Sequence, residues 1–348
     1  MKRASVILDD LQHYPPDAIE LALPDAPSAQ RLLEARLPQT LARLTDVAQR
    51  INADDRVLAA VVLATARLAQ RHGSLGTDFH AYHNERHVLE LAERRLLRLI
   101  DALLPTALPA SDLTALFLFA ACHDLRQREP QDPPGPVGGN EMASIAESRR
   151  ILVGCGLDSG AHADLPIVLM LMIAGSTFDA RPLPSADAQP ADLPVLAGGA
   201  LARGLALWLD SDWPHWRANP AAVHGERMAR LAADLDTGNV GEEFTQLCDT
   251  ALRLCQEREW RAGRLLDSPD SAASCLAFLG LGQQHYFFEL HRFCSREGER
   301  VFGTSKQANA VRVRQTTAAL QERFTQQPPA NGQTVISAFA ALAGTATA

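Results

Sequence analysis

Basic charge is scarce in this sequence: 33 Lys and Arg stand against 41 Asp and Glu, for a formal net charge of −8. The cations are spread thinly and form no stripe, so there is no strong nucleic-acid signal. An acidic balance does not exclude a small phosphate-bearing substrate, because a bound cation can supply positive charge locally. The six cysteines lie at positions 122, 155, 248, 255, 275 and 294, and no two have C-x-x-C spacing. That spacing excludes a zinc ribbon, and a chain this long needs no disulfide staples; reduced thiols and a cytoplasmic location are expected. Long apolar runs are missing too. The most apolar stretch, Leu165 to Ala174, is about half of what a membrane span requires. The N-terminus, MKRASVILDDLQHYPPD, lacks an apolar signal core. Alternating strand patterns, internal repeats and heptads are also absent.

What is present is a chain of 348 residues, 47% apolar and 21% charged, enough for a well-buried core. Helical spacing dominates. It predicts helices over 54–71, 84–104, 112–121, 141–153, 164–174, 221–235, 241–266, 271–297 and 305–325, with Ser111 and Asn140 as N-caps. The expected class is all-α: an N-terminal extension over 1–28, a single domain over 29–326 and a loose tail over 327–348. Residues 126–139, rich in Pro and Gly, read as a loop beside the site, and 179–200 as a long excursion.

Three short runs interrupt the apolar helices: Tyr82-His83-Asn84-Glu85-Arg86-His87, Cys122-His123-Asp124 and Leu209-Asp210-Ser211-Asp212. His83 and His87, four apart, share a helix face. His123-Asp124 emerges from the apolar run LFLFAAC, where a carboxylate needs a partner and a divalent cation would be one. Taken singly, each run also reads as helix capping or a solvated helix start. Their joint occurrence points to a metal ion inside a helical bundle.

The ordered series resembles the HD superfamily of metal-dependent phosphohydrolases. Within it, the chain is similar to a bacterial group of predicted HD phosphohydrolases and to class I cyclic-nucleotide phosphodiesterases. The carrying residues are Tyr82-His83-Asn84-x-x-His87, His123-Asp124, Asn140-Glu141-x-x-Ser144, Ser176-Thr177 and Leu209-Asp210-Ser211-Asp212, over roughly residues 75–215. The resemblance implies an HD-like helical bundle in which His87, His123, Asp124 and Asp212 ligate one divalent ion (Mn, Fe, Co, Ni or Zn). It implies catalytic roles for His83 as proton donor to the leaving oxygen, for Glu141 in orienting water or His83, and for Asp210 beside the ligands. Arg86, Arg126 and Asn84 flank the motifs as substrate-binding candidates, the arginines for phosphate oxygens. Gln127 and Ala180 stand where relatives carry further histidines. That departure implies one ion, or a weak second Mg or Mn held by Asp124, Glu141 and water.

The expected function is hydrolysis of a nucleotide or other small phosphoester by metal-activated water. The alternative is an HD-type ligand-binding or regulatory domain that is weak or inactive as a catalyst. Oligomeric state and metal identity are not written in the sequence.

Overall fold

The computed structural model describes residues 14–103, 108–127, 138–179 and 199–344. It is all-α: the only strands among the described residues are the two-residue pair Phe178–Asp179 and Gly199–Ala200, joined antiparallel. No described helix is long and apolar enough to cross a membrane. Most of the expected loop over 126–139, and most of the excursion over 179–200, fall outside the described residues.

The chain forms two compact units, one ending at Asp236 and one beginning at Thr237. The single domain expected over 29–326 thus meets a boundary at the end of a helix that the apolar pattern alone does not mark. The first unit contains α1 (Ala18–Ala22), α2 (Ala26–Arg36), α3 (Pro38–Arg50), α4 (Asp55–Arg71) and α5 (Glu85–Leu89). A π-helical turn, Glu90–Leu96, continues α5 into α6 (Leu97–Leu103). There follow α7 (Ala110–Cys122), α8 (Gly139–Gly154), α9 (Leu165–Ser176), α10 (Leu205–Asp212) and α11 (Pro220–Asp236). Helices α1 and α2 enter the stretch expected as an extension, because Asp17 and Asp25 cap them through the amides of Glu20 and Ser28, each at 2.8 Å.

Local signals set most boundaries. Asp54 caps α4 by accepting from the Arg56 amide at 2.8 Å. Asn219 accepts from the amides of Ala221 and Ala222, and Pro220 opens α11 without an amide to satisfy. Two expected caps differ. Ser111 lies inside α7, which starts one residue earlier after Pro109, and Asn140 lies inside α8, which starts after Gly138 at φ 93°.

The core of this unit is built on α4, α7, α9 and α11, with α7 and α9 apolar on nearly every face. Helix α11 packs along α9 and also touches α7 and the π turn. Two glycines permit that approach. A Cβ at Gly225 would stand 3.2 Å from the Val168 Cα, and one at Gly175 only 2.8 Å from the Ala229 Cβ. Buried ion pairs tie the N-terminal segment to this core: Arg71 to Asp17 at 2.7 Å and to Glu147 at 3.0 Å, and Arg150 to Glu20 at 2.6 Å.

The second unit contains α12 (Phe244–Arg261), α13 (Ala272–Ala277), α14 (Gln283–His285), α15 (Arg296–Thr325) and α16 (Gly332–Ala343). The helix expected over 271–297 is broken by π turns at Phe278–Gly282 and Tyr286–Leu290 and by non-helical backbone at Gly280. The tail expected to be loose is mostly α16, capped by Asn331 and buried through Val335, Phe339 and Ala343. Its 3.6-residue apolar stripe, rather than charge, secures it. The Lys306 amine donates to the His291 carbonyl at 3.0 Å and lies 2.9 Å from its Nδ1. Burial, with Arg292 nearby, lowers that amine to about 8.

Candidate metal centre

Asn84 starts α5. Its side chain accepts from the Arg86 amide at 2.9 Å and donates to the His80 carbonyl at 2.6 Å, fixing the turn that delivers His83 and His87. Asn84 is therefore a helix cap, not the substrate contact expected. His87 is 1% exposed, and α7 ends one residue before His123, which is 4% exposed. The His123 Nδ1 lies 3.1 Å from the Phe119 carbonyl. A carbonyl only accepts, so Nδ1 carries a proton whatever the charge of the ring, and Nε2 is the nitrogen turned inward that a cation could take in place of a second proton.

His87, His123 and Asp236 bring their donor atoms within 4.8 Å of one another, and Asp124 borders both imidazoles. His123 Nε2 lies 3.0 Å from Asp124 Oδ2 and 3.5 Å from Asp236 Oδ1, and His87 Nε2 lies 3.7 and 3.3 Å from the same two oxygens. Donors ~2.1 Å from a common ion stand roughly 3.0–3.4 Å apart; the 3.0 and 3.3 Å pairs meet that spacing, and the 3.5 and 3.7 Å pairs would close by a few tenths of an ångström around an ion. Neither ring nitrogen of His87, nor His123 Nε2, makes a hydrogen bond of proper geometry. Orphaned imidazole nitrogens facing carboxylates, deep in an apolar core, fit a cation at their centre. The set is nitrogen and oxygen only. Cys122, next in sequence, is no thiolate, because burial pushes its thiol up to about 12.

The final acid differs from the sequence expectation. Asp236, the last residue of α11, takes the place foreseen for Asp212. Asp212 ends α10, which packs chiefly on the short turn Leu201–Arg203, whereas α11 lies against α7 and the π turn. Asp210 is also elsewhere: its carboxylate accepts from Trp216 Nε1 at 2.9 Å and pairs with Arg217 at the surface. Arg95, wholly buried in the π turn, donates to the carbonyls of Leu235 and Asp236 and so holds the end of α11.

The charges interlock. Burial disfavours a charged His123, but Asp124 and Asp236 outweigh it and hold the ring well above its ordinary pKa. Burial would likewise raise Asp124, yet His123 brings it to about 2; Asp236 is lowered against its own burial by His123 and His87. Glu141, near both acids, goes the other way: burial raises it to about 7, with Asp124 and Asp236 adding repulsion. The side chains of Asp124 and Asp236 are 17% and 20% exposed, against 1–3% for the two imidazoles, so the centre opens to solvent on its carboxylate side.

The other expected contacts separate. His83 stands beside this centre, its ring 6.4 Å from that of His87 and its charge acting on Asp124. Arg86 is exposed and pairs with Glu90 Oε1 at 3.3 Å, while Glu90 Oε2 lies 3.7 Å behind His87 Nδ1. Arg126 turns away: its guanidinium is 3.4 Å from Glu20 and 3.7 Å from Asp17, in the buried ion-pair network. Sequence reading missed Asp236, Glu90 and Arg95. An acid in the last turn of α11, against the helix dipole, was the available signal for the first.

A second group, His72, Asp78 and His80, also gathers donor atoms. There the Gln127 amide donates to His72 Nε2 at 3.3 Å, so the neutral His72 ring carries its proton on Nδ1, 3.5 Å from Asp78. That arrangement makes the group a brace for the loop before His83. No protein-family model and no curated protein matches the chain.

Proposed function

We propose that the protein is a metal-dependent phosphohydrolase of the HD type, acting on a small phosphoester such as a nucleotide. The supporting observation is the convergence of His87, His123, Asp124 and Asp236 around orphaned imidazole nitrogens. These four residues would hold one divalent ion, with Asp236 in the role the sequence pattern gave to Asp212. When bound, such an ion activates water and takes up charge developing on phosphoryl oxygens.

The chain's own residues divide the remaining work. His83, outside the ligand set but next to Asp124, is the proton donor to the leaving oxygen. Glu141, with a carboxyl near neutral pKa, accepts a hydrogen bond or proton from the attacking water. Arg86, at the exposed edge of α5, is the remaining arginine candidate for a phosphate oxygen. The commitment of Arg126 and Asn84 to structural bonds leaves fewer substrate contacts, which is what favours the second reading, a ligand-binding domain with little turnover.

The deciding experiment loads purified protein with Mn, measures bound metal, and assays phosphomonoester and phosphodiester hydrolysis. Expected are stoichiometric metal and turnover, with metal lost in His123→Ala and turnover sharply lower in His83→Ala with metal retained. Metal without turnover would establish the binding domain instead. Absence of bound metal in the wild type would sink both readings.

A further inference from the structure

Asp124 uses its two oxygens differently. Oδ2 faces the imidazoles of His123 and His87 at 3.0 and 3.7 Å. Oδ1 accepts from the side-chain amide of Gln127 at 3.1 Å. An amide can present either its oxygen or its nitrogen, and here the Asp124 carboxylate, which only accepts, takes the Gln127 NH2. That leaves Gln127 Oε1 to accept from the Asn140 amide at 2.8 Å. The backbone is pinned on both sides of this arrangement: the Arg126 amide donates to Ser144 Oγ at 3.0 Å, and the Gln127 amide donates to His72 Nε2 at 3.3 Å. The first turns of α8 thus supply Asn140 and Ser144 to the segment that follows the His-Asp pair.

We propose that Asn140 and Gln127 form a relay that closes the outer oxygen of Asp124, making it a one-oxygen ligand and restricting the centre to a single ion. The inference rests on the metal reading above and adds positioning residues to it. A carboxylate that bridges two cations through its two oxygens needs an available lone pair on each. The Gln127 N–H takes one lone pair of Oδ1 at 3.1 Å, and its dipole, positive end outward, repels a cation approaching the other. Partners of this kind behind a ligand commonly govern affinity as strongly as the ligand's own geometry. A purely structural role would instead tie the 125–127 turn to α8 and leave the ion indifferent.

Titration of metal-free protein with Mn, followed by direct metal analysis and by electron paramagnetic resonance of unbound Mn, separates these roles. Wild type should bind one ion per chain. Gln127→Leu keeps the bulk and removes the donor; the Mn dissociation constant should rise roughly 10- to 100-fold, with the melting temperature of metal-free protein nearly unchanged. Gln127→Glu puts a carboxylate beside Oδ1 and should raise the capacity to two ions. Asn140→Asp accepts where Asn140 donates, so it reverses the Gln127 amide and should weaken binding more than Asn140→Ala does. One ion at wild-type affinity in all four variants would overturn the relay while leaving the metal centre standing. No Mn in the wild type would overturn both. Should Gln127→Leu fail to fold, the Asp-against-Ala comparison at position 140, on the half-buried first turn of α8, decides alone.

Discussion

At the scale of single residues, the centre turns on which acid reaches two imidazoles. Asp236→Asn keeps the shape and removes the charge, and bound metal measured by mass spectrometry should fall by more than tenfold. Asp212→Asn and Asp210→Asn should bind metal as wild type does. Arg126→Ala should leave KM for a phosphoester unchanged and lower stability, by about 1–3 kcal/mol in denaturant titration, because it strips a partner from buried carboxylates. Asp17 gives this network a pH signature. Burial opposes its ionisation, but Arg71 wins and holds the carboxyl at about 2 against an ordinary 3.8. A lowered folded-state pKa contributes stability that is fully present above the unfolded value. That contribution is lost as pH falls from about 4 towards 2, and Asp17→Asn should flatten this part of a stability-versus-pH curve.

At the scale of elements, the contact between α9 and α11 carries Asp236 to its partners. Gly225→Ala sets a methyl 2.8 Å from Leu171 Cδ1, a side-chain tip that can turn, and 3.2 Å from the Val168 Cα, where the main chain must give way. The expected cost is about 1–3 kcal/mol in thermal or chemical unfolding, accompanied by weaker metal binding because the end of α11 shifts. Much at this scale was legible in the sequence. The spans of α4, α7, α9 and α11 follow from apolar spacing, and the runs that carry His87 and His123-Asp124 stand out at helix ends. The identity of the last acid was not legible. Asp212 and Asp236 both close an apolar helix, and only three-dimensional packing says which of the two helices lies against α7. Arg126 misled for a related reason: a lone arginine after a site motif looks the same whether it faces phosphate or a buried glutamate.

At the scale of the whole molecule, the four proposed ligands all belong to the unit that ends at Asp236. Calorimetry should therefore show metal raising the unfolding temperature of that unit while the transition of the other is unmoved. At a free-metal concentration of 100 times Kd the stabilisation should be about 2.7 kcal/mol. Truncation after residue 326 removes α16, whose Val335 and Phe339 are buried, and should unfold the second unit rather than trim a loose end. The π turn Glu90–Leu96 bears on inheritance as much as on shape. Such a turn is equivalent to one residue inserted into an α-helix. Losing one codon there would restore regular winding and leave His87 close to its present phase relative to Arg95 and α6, because seven residues of π turn and six of α-helix sweep roughly the same angle. A one-residue deletion within 90–96 should therefore be tolerated by the metal centre, with bound Mn retained, whereas the same deletion inside the regular winding of α7 would turn its upstream face by about 100°.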